Sequence, residues 1–264
     1  MARQVARDDE SEAQTIRTAV RERYARAATM GSSCCGDPWD AAGVQVEESG
    51  ALSCCGPAAV TFSDGRALPD DIAEASLGCG APIDAAAIQP GETVVDLGSG
   101  AGLDVFLAAD RVGPSGRAIG VDMTPEMIAK ARANATRLGA TNAEFHLGEI
   151  ENLPVTNESA DVIISNCVIN LLPDKRPAFT EAFRILRPGG RLVVSDIVSA
   201  RPLPRWFATA ERWAACLGGA IPETDYLDAI RQAGFVDVEV ISKKRYVQPL
   251  LYSATIRAVK PGPR

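Results

Sequence analysis

A chain of 264 residues, 46% of them apolar, can bury one large α/β core with additions or at most two small ones. Its formal net charge of −7, with no long run of Lys or Arg, argues against broad contact with nucleic acid or anionic membranes, which needs clustered basic side chains. No apolar stretch approaches the roughly 20 residues that span a bilayer, and residues 1–22 lack the apolar segment of a secretory leader. The expectation is a cytoplasmic chain with neither nucleic acid nor membrane as partner.

From Glu12 to Ala28 the residues Ile16, Val20, Tyr24 and Ala27 recur on one face of an amphipathic helix. An irregular Gly-, Pro-, Ser- and Asp-rich region follows to about Pro69. It holds Cys34-Cys35 and Cys54-Cys55, each pair inside Ser-Cys-Cys-Gly. A short helix over Pro69–Ser76 leads into Gly78-Cys79-Gly80. From Gly91 onward, short apolar runs alternate with helical patterns, the order that builds βα units and a mostly parallel sheet. Strands are expected at Thr93–Leu97, Ala118–Asp122, Ala143–Leu147, Asp161–Ser165, Arg191–Ser195, Val236–Ser242 and Leu251–Val259. Helices are expected near Gly102–Arg111, Pro125–Leu138, Lys175–Leu186, Arg205–Leu217 and Glu223–Ala233, with Gly139 and Gly189-Gly190 as helix stops. The result is a seven-stranded, Rossmann-like α/β sheet whose last two strands pair through a hairpin-like return. Three regions follow: an N-terminal helix and cysteine-containing irregular segment (1–76), a cofactor-binding core (77–200), and C-terminal helices with the last strands (201–264).

The strongest local signal is Val94-Val95-Asp96-Leu97-Gly98-Ser99-Gly100-Ala101-Gly102, an apolar strand running into a glycine-rich turn that opens a helix. Glycine lets a ligand approach the backbone closely, and a second acid, Asp122, ends the next strand where a ribose would lie. A dinucleotide site wants G-x-G-x-x-G, whereas these glycines run G-x-G-x-G after an acid, with Leu103 at the last position. That spacing resembles the S-adenosylmethionine loop of class I methyltransferases. The likeness continues through Asp122-Met123, Gly148-Glu149-Ile150-Glu151 and Leu186-Arg187-Pro188-Gly189-Gly190. It implies the class I methyltransferase fold with S-adenosylmethionine as cofactor. Asp122 would meet the ribose, Met123, Ile150 and Glu151 the adenine, and Gly98 and Gly100 the methionine portion, with Asp96 near its ammonium. Ser99 in the loop and Asn166 at the end of the fourth strand complete the set. Asp122 has a second reading as the cap of the helix at Pro125, and Met123 as a core residue.

Seven cysteines in a chain expected in a reducing compartment are ligands, redox groups or core residues rather than a disulfide scaffold. Ser165-Asn166-Cys167-Val168-Ile169-Asn170-Leu171 begins at the carboxyl end of the fourth strand, on the rim where open α/β sheets bind ligands. This segment, with Cys216-Leu217-Gly218-Gly219-Ala220 and Gly78-Cys79-Gly80, resembles the arsenite methyltransferases from Leu77 to Ala220, and more weakly at Ser253-Ala254-Thr255. The resemblance implies methyl transfer from S-adenosylmethionine to trivalent arsenic, supplied as arsenite or its thiol conjugates. Cys167 and Cys216 would bind the arsenic. Cys79 would be either a third ligand or a thiol that forms a disulfide to reduce a pentavalent product. A thiol reductant of the glutathione or thioredoxin type would then recycle the chain.

Soft thiolates suit a thiophilic centre, and arsenic bound through sulfur keeps a lone pair for the methyl, so no acid–base dyad is required. His146, the one histidine, falls inside the third strand and is read as structural. Cys34, Cys35, Cys54 and Cys55 stay open between relaying substrate, pairing with Cys79, and a loop without chemistry. Trp206 and Trp213 either wall the arsenic site or pack the added layer. The competing readings are a methyltransferase of an organic small molecule with incidental cysteines, a non-catalytic arsenic-binding sensor, and a zinc protein built on the paired cysteines.

Overall fold

The computed structural model describes residues 2–30, 60–73, 80–247 and 250–262. Helix α1 runs Ala2–Met30, longer than its apolar stripe alone requires, and is followed by the short helices α2 (Asp70–Ala73) and α3 (Pro82–Ala85). Then β1 (Thr93–Leu97), α4 (Leu103–Val112), β2 (Arg117–Asp122), α5 (Pro125–Leu138), β3 (Ala143–Leu147) and β4 (Ala160–Asn166) alternate. Helix α6 (Arg176–Ile185) leads directly into β5 (Leu186–Ser199). After α7 (Ala210–Ala214) and α8 (Glu223–Gln232), β6 (Val236–Val247) and β7 (Leu251–Val259) finish the sheet.

The seven-stranded sheet expected from the sequence has the order β3-β2-β1-β4-β5-β7-β6. Its first five strands are parallel, and β7 runs antiparallel between β5 and β6. Successive side chains of a strand point to opposite faces, so neighbours in the apolar runs feed two cores. Val95 and Ile163 face the layer of α6 and α8, with Phe179 and Tyr226. Val94 and Ile164 face the layer of α4 and α5, with Phe106 and Ile128. Parallel strands covered on both faces read as unbroken apolar segments, which is why β1 and β4 were legible. A third cluster caps the carboxyl ends of the strands: Ile16, Val20, Tyr24 and Ala27 of α1 pack there with Met127, Cys167, Leu171 and Cys216. That is the stripe the periodicity picks out.

Two expectations fail. Gly189-Gly190 does not stop a helix: α6 ends at Ile185, before Pro188, and the two glycines lie in the first part of β5, where its register with β4 is irregular. Nor is 205–217 one helix. It breaks into a 3-10 turn at Arg205–Phe207 and the five-residue α7, because Thr209 starts a new helix by accepting from the Arg212 amide. The short helix expected over Pro69–Ser76 is seen at Asp70–Ala73, its remainder lying outside the described residues.

Candidate active site

The order of the strands reverses between β1 and β4, and the crevice at such a switch point is where open α/β sheets take ligands. The glycine loop after β1 is tied to β2: the amides of Gly98 and Ser99 donate to the Val121 carbonyl at 2.8 and 3.1 Å. The Gly100 amide donates to Asp122 Oδ2 at 2.9 Å, and the Thr124 amide to Asp122 Oδ1 at 2.8 Å. Asp122 therefore ties the glycine loop to the turn that leads into α5, but it is not the cap of that helix: the cap position is Thr124, whose amide Asp122 accepts. Gly98 has φ of 73°, and a Cβ there would run into the side chain of Val168. The loop after β4 thus packs directly on the loop after β1, and only glycine permits it.

Over these loops lies a cleft open to solvent. Gly98, Asp122, Met123, Ile150 and Glu151 line it, together with Val168, Leu171 and Leu172 from the segment after β4. Arg17, Val20 and Tyr24 of α1 form its roof. Arg17 pairs with Glu151 at 3.2 Å and Arg21 with Glu149 at 3.4 Å, so α1 is clasped to the far wall. Asp96 lies deeper, 4% exposed. Burial, reinforced by the charges of Asp104 and Asp122, pushes its carboxyl well above the ordinary carboxylate range. Burial also raises Asp104, against a hydrogen bond from Asn166, and raises Asp122, against the two backbone amides it accepts. Arg111 eases only Asp104 in part, and the three neighbouring carboxyl groups together suit a positively charged ligand. Ser99 is buried beside Gly120. Asn166 pairs with the backbone of Gly80, accepting at 3.1 Å and donating at 3.0 Å, and also donates to Asp104 at 3.1 Å.

The two described cysteines meet at the edge of this crevice. Cys167 is 1% exposed and Cys216 5%. The Cys216 thiol donates to the Cys167 carbonyl at 3.2 Å, and the Tyr24 hydroxyl lies 3.8 Å from Cys216 Sγ. Both cysteines adopt left-handed backbone, with φ of 63° and 62°. The Cys167 amide is fixed by the Ser195 carbonyl of β5 at 2.7 Å. Cys167 is disulfide-bonded in this structure. Cys34, Cys35, Cys54, Cys55 and Cys79 lie outside the described residues, and among the described residues no group of three or more His, Cys, Asp or Glu is placed to hold a metal ion.

Other residues reach the cysteine loops, of which Asn170 and Lys175 had not been singled out from the sequence and Trp213 had. Asn170 Nδ2 donates to the Cys216 carbonyl at 2.8 Å, and Trp213 Nε1 to the Leu171 carbonyl at 3.0 Å. Lys175 is 4% exposed and donates to the carbonyls of Leu172 and Gly219. Asn170 stands within the cysteine motif, Lys175 four residues beyond it, and Tyr24 on the predicted apolar stripe. Those were the available signals. Trp206 is 70% exposed and stacks with Phe207 and Arg212. His146 sits in the edge strand β3, 3.6 Å from Glu144.

A family model described as a methyltransferase domain matches residues 88–255. The arsenite methyltransferase of Halobacterium salinarum is 45% identical over 93% of this chain and 67% of its own length. That of Aquipseudomonas alcaligenes is 41% identical over 70% of this chain, which spans about half (54%) of that relative. The crystal structure of an arsenic(III) S-adenosylmethionine methyltransferase from Chlamydomonas reinhardtii is similar with a TM-score of 0.68 at 36% identity, over 74% of this chain and 71% of that one.

Proposed function

The chain belongs to the arsenite methyltransferases, and on that premise we propose that it moves methyl groups from S-adenosylmethionine to trivalent arsenic held by the thiolates of Cys167 and Cys216. One observation carries this reading. The Cys167 loop rests on the glycine loop through Val168 and Gly98, and the Cys216 thiol rests on the Cys167 carbonyl and lies 3.8 Å from the Tyr24 hydroxyl of the roof, so the two cysteine loops adjoin the cleft.

S-adenosylmethionine supplies an electrophilic methyl group on a cationic sulfur. The cleft suits it: apolar Val20, Met123 and Ile150 alternate with the carboxylates of Asp122 and Glu151. Around Gly100 no heavy atom lies within 4 Å of where a Cβ would be, which leaves its backbone approachable. On this reading Asp122 and Glu151 orient the donor, while Leu171, Leu172 and α1 exclude water. Each thiol loses its proton as hydroxide leaves arsenic as water, so an S–As bond replaces S–H and As–OH. With the donor held by Asp122 and Glu151, its methyl group would pass to the arsenic lone pair, an As–C bond replacing the donor's C–S bond, whose electrons would stay on the donor's sulfur. Fixing arsenic against the methyl is worth up to about 7–11 kcal/mol of the barrier.

The transfer raises arsenic to the pentavalent state. Two thiols becoming a disulfide return the two electrons that restore it. Cys79 is on this reading either the third ligand or a thiol of that step. The disulfide at Cys167 supports the need for a reductant of the glutathione or thioredoxin type, because arsenic takes up that sulfur only after reduction. A cytoplasmic setting follows from the same need.

The test is arsenic speciation after the chain is incubated with arsenite, S-adenosylmethionine and a thiol reductant, beside Cys167→Ser and Cys216→Ser. Methylated arsenic from the parent, reduced at least about 100-fold in each variant, is expected. Arsenite bound but never methylated points to a sensor. Methylation that survives both substitutions removes the thiolates from the mechanism.

A further inference from the structure

Cys167 and Cys216 are 49 residues apart and each stands at a left-handed turn outside regular structure. A turn of that kind is strained for a residue with a side chain, so each loop gains from support outside itself. The two are instead fastened to each other. Asn170 reaches the Cys216 carbonyl, and Trp213 the Leu171 carbonyl. A Cβ on Gly219 would overlap the Asn170 carbonyl oxygen, so the two backbones are in contact.

At the centre of this contact is a buried ammonium. Lys175 Nζ donates to the Leu172 carbonyl of one loop at 3.2 Å and to the Gly219 carbonyl of the other at 2.8 Å. Its electrostatic partner is Asp196 of β5, which accepts from the Tyr226 hydroxyl of α8 at 2.8 Å. Burial drives Lys175 down to about 8 and Asp196 up to about 7, the mark of two charges taken out of water. Such a pair is rarely better for stability than apolar side chains of the same volume. Its position on one carbonyl from each cysteine loop gives it a different use.

We propose that Lys175 is the positioning residue that sets the gap between the two thiols, stapling the Cys216 loop to the Cys167 loop so that one trivalent arsenic bridges both sulfurs. This inference rests on the assignment of Cys167 and Cys216 as the arsenic-binding pair. Lys175 touches neither arsenic nor donor and acts through the two carbonyls. The charge of Asp196, which accepts from the Tyr226 hydroxyl, favours the charged form of that ammonium.

The test uses the reduced full chain with Cys34, Cys35, Cys54, Cys55 and Cys79 replaced by Ser, and phenylarsine oxide, which needs two thiols, as the probe. Stoichiometry and release rate are compared for this parent, for Lys175→Met, and for Lys175→Met with Asp196→Asn. The double variant removes both charges together and keeps the Tyr226 hydrogen bond acceptor. The parent holds one probe per chain. Lys175→Met releases it about tenfold faster or more, as expected when one arm of a chelate loses its effective concentration. The double variant melts close to the parent yet releases the probe as fast as Lys175→Met. Affinity for S-adenosylhomocysteine stays within about twofold in all three, since Lys175 lies outside the cleft. Release at the parent rate from Lys175→Met, or recovery of slow release in the double variant, overturns the proposal. A parent that holds no probe overturns both the proposal and the pairing of the thiols, whereas methylation by the unmodified chain is read separately by speciation.

Discussion

At Cys167 and Cys216 the backbone takes a conformation that glycine adopts freely and other residues adopt at a cost. The sulfur and the strain can be separated by choosing what replaces the side chain. Cys216→Gly and Cys216→Ala both remove the thiol, and the glycine variant is expected to be the more stable by about 1 kcal/mol in urea unfolding. Equal midpoints would place the strain elsewhere. The cysteine motifs were readable as candidate ligands through their resemblance to those of the arsenite methyltransferases, since a cysteine at a strand end is otherwise also an ordinary core residue. Their left-handed backbone was not, since nothing in Asn166-Cys167-Val168 or Ala215-Cys216-Leu217 announces a positive φ. Tyr24 shows the same limit: its spacing marks a buried face, but a hydroxyl 3.8 Å from a sulfur 192 residues away is a tertiary fact.

Among the elements, α1 decides whether the cleft has a roof. Val20 is 1% exposed and packs into the cluster that holds both cysteines. Val20→Asp buries a carboxyl group without a partner, at a cost of about 3 kcal/mol. It is expected to undock α1 and weaken S-adenosylhomocysteine binding at least about tenfold in calorimetry, while far-ultraviolet circular dichroism retains the strand signal of the sheet. Arg21→Ala is the contrast. That pair is half exposed on both sides, at 52% and 53%, so its loss is worth under about 1 kcal/mol and affinity should move less than about fivefold. A large loss from Arg21→Ala would make the clasp, not the apolar stripe, the principal tie. Strands buried on both faces declared themselves as apolar runs, and α5 by its glycine end. The break at Thr209 and the run of β5 through Gly189-Gly190 escaped notice because a capping hydroxyl and an antiparallel partner strand overrule local pattern.

For the whole molecule, the carboxyl groups of Asp96, Asp104 and Asp122 impose a pH dependence. Burial raises all three, so the folded chain keeps protons there at pH values where the unfolded chain has lost them. Their contribution to stability is fully present below the unfolded carboxylate pKa of about 4 and is lost as pH rises through the folded values. Glu92 and Glu181 act in the opposite sense. Their arginine partners lower them, so their stabilisation is present above the ordinary glutamate range and disappears in acid. A cationic ligand near the buried trio offsets the repulsion among its charges. Saturating S-adenosylmethionine is therefore expected to raise the melting temperature more at pH 7.5 than at pH 5, by calorimetry. An equal rise at both would separate the trio from cofactor binding.

The roof of the cleft also sets a timetable. The apolar stripe of α1 leaves the ribosome early, but its seat includes Cys216, 192 residues beyond Tyr24. At about 5–20 residues per second, that stripe waits roughly 10–40 s for its partner. During that interval Ile16, Val20 and Tyr24 are greasy and unsheltered, the kind of segment that chaperones grip. Conditions that slow synthesis, or that modify the late cysteine before it docks, should act first on the yield of folded chain and only afterwards on the chemistry it performs.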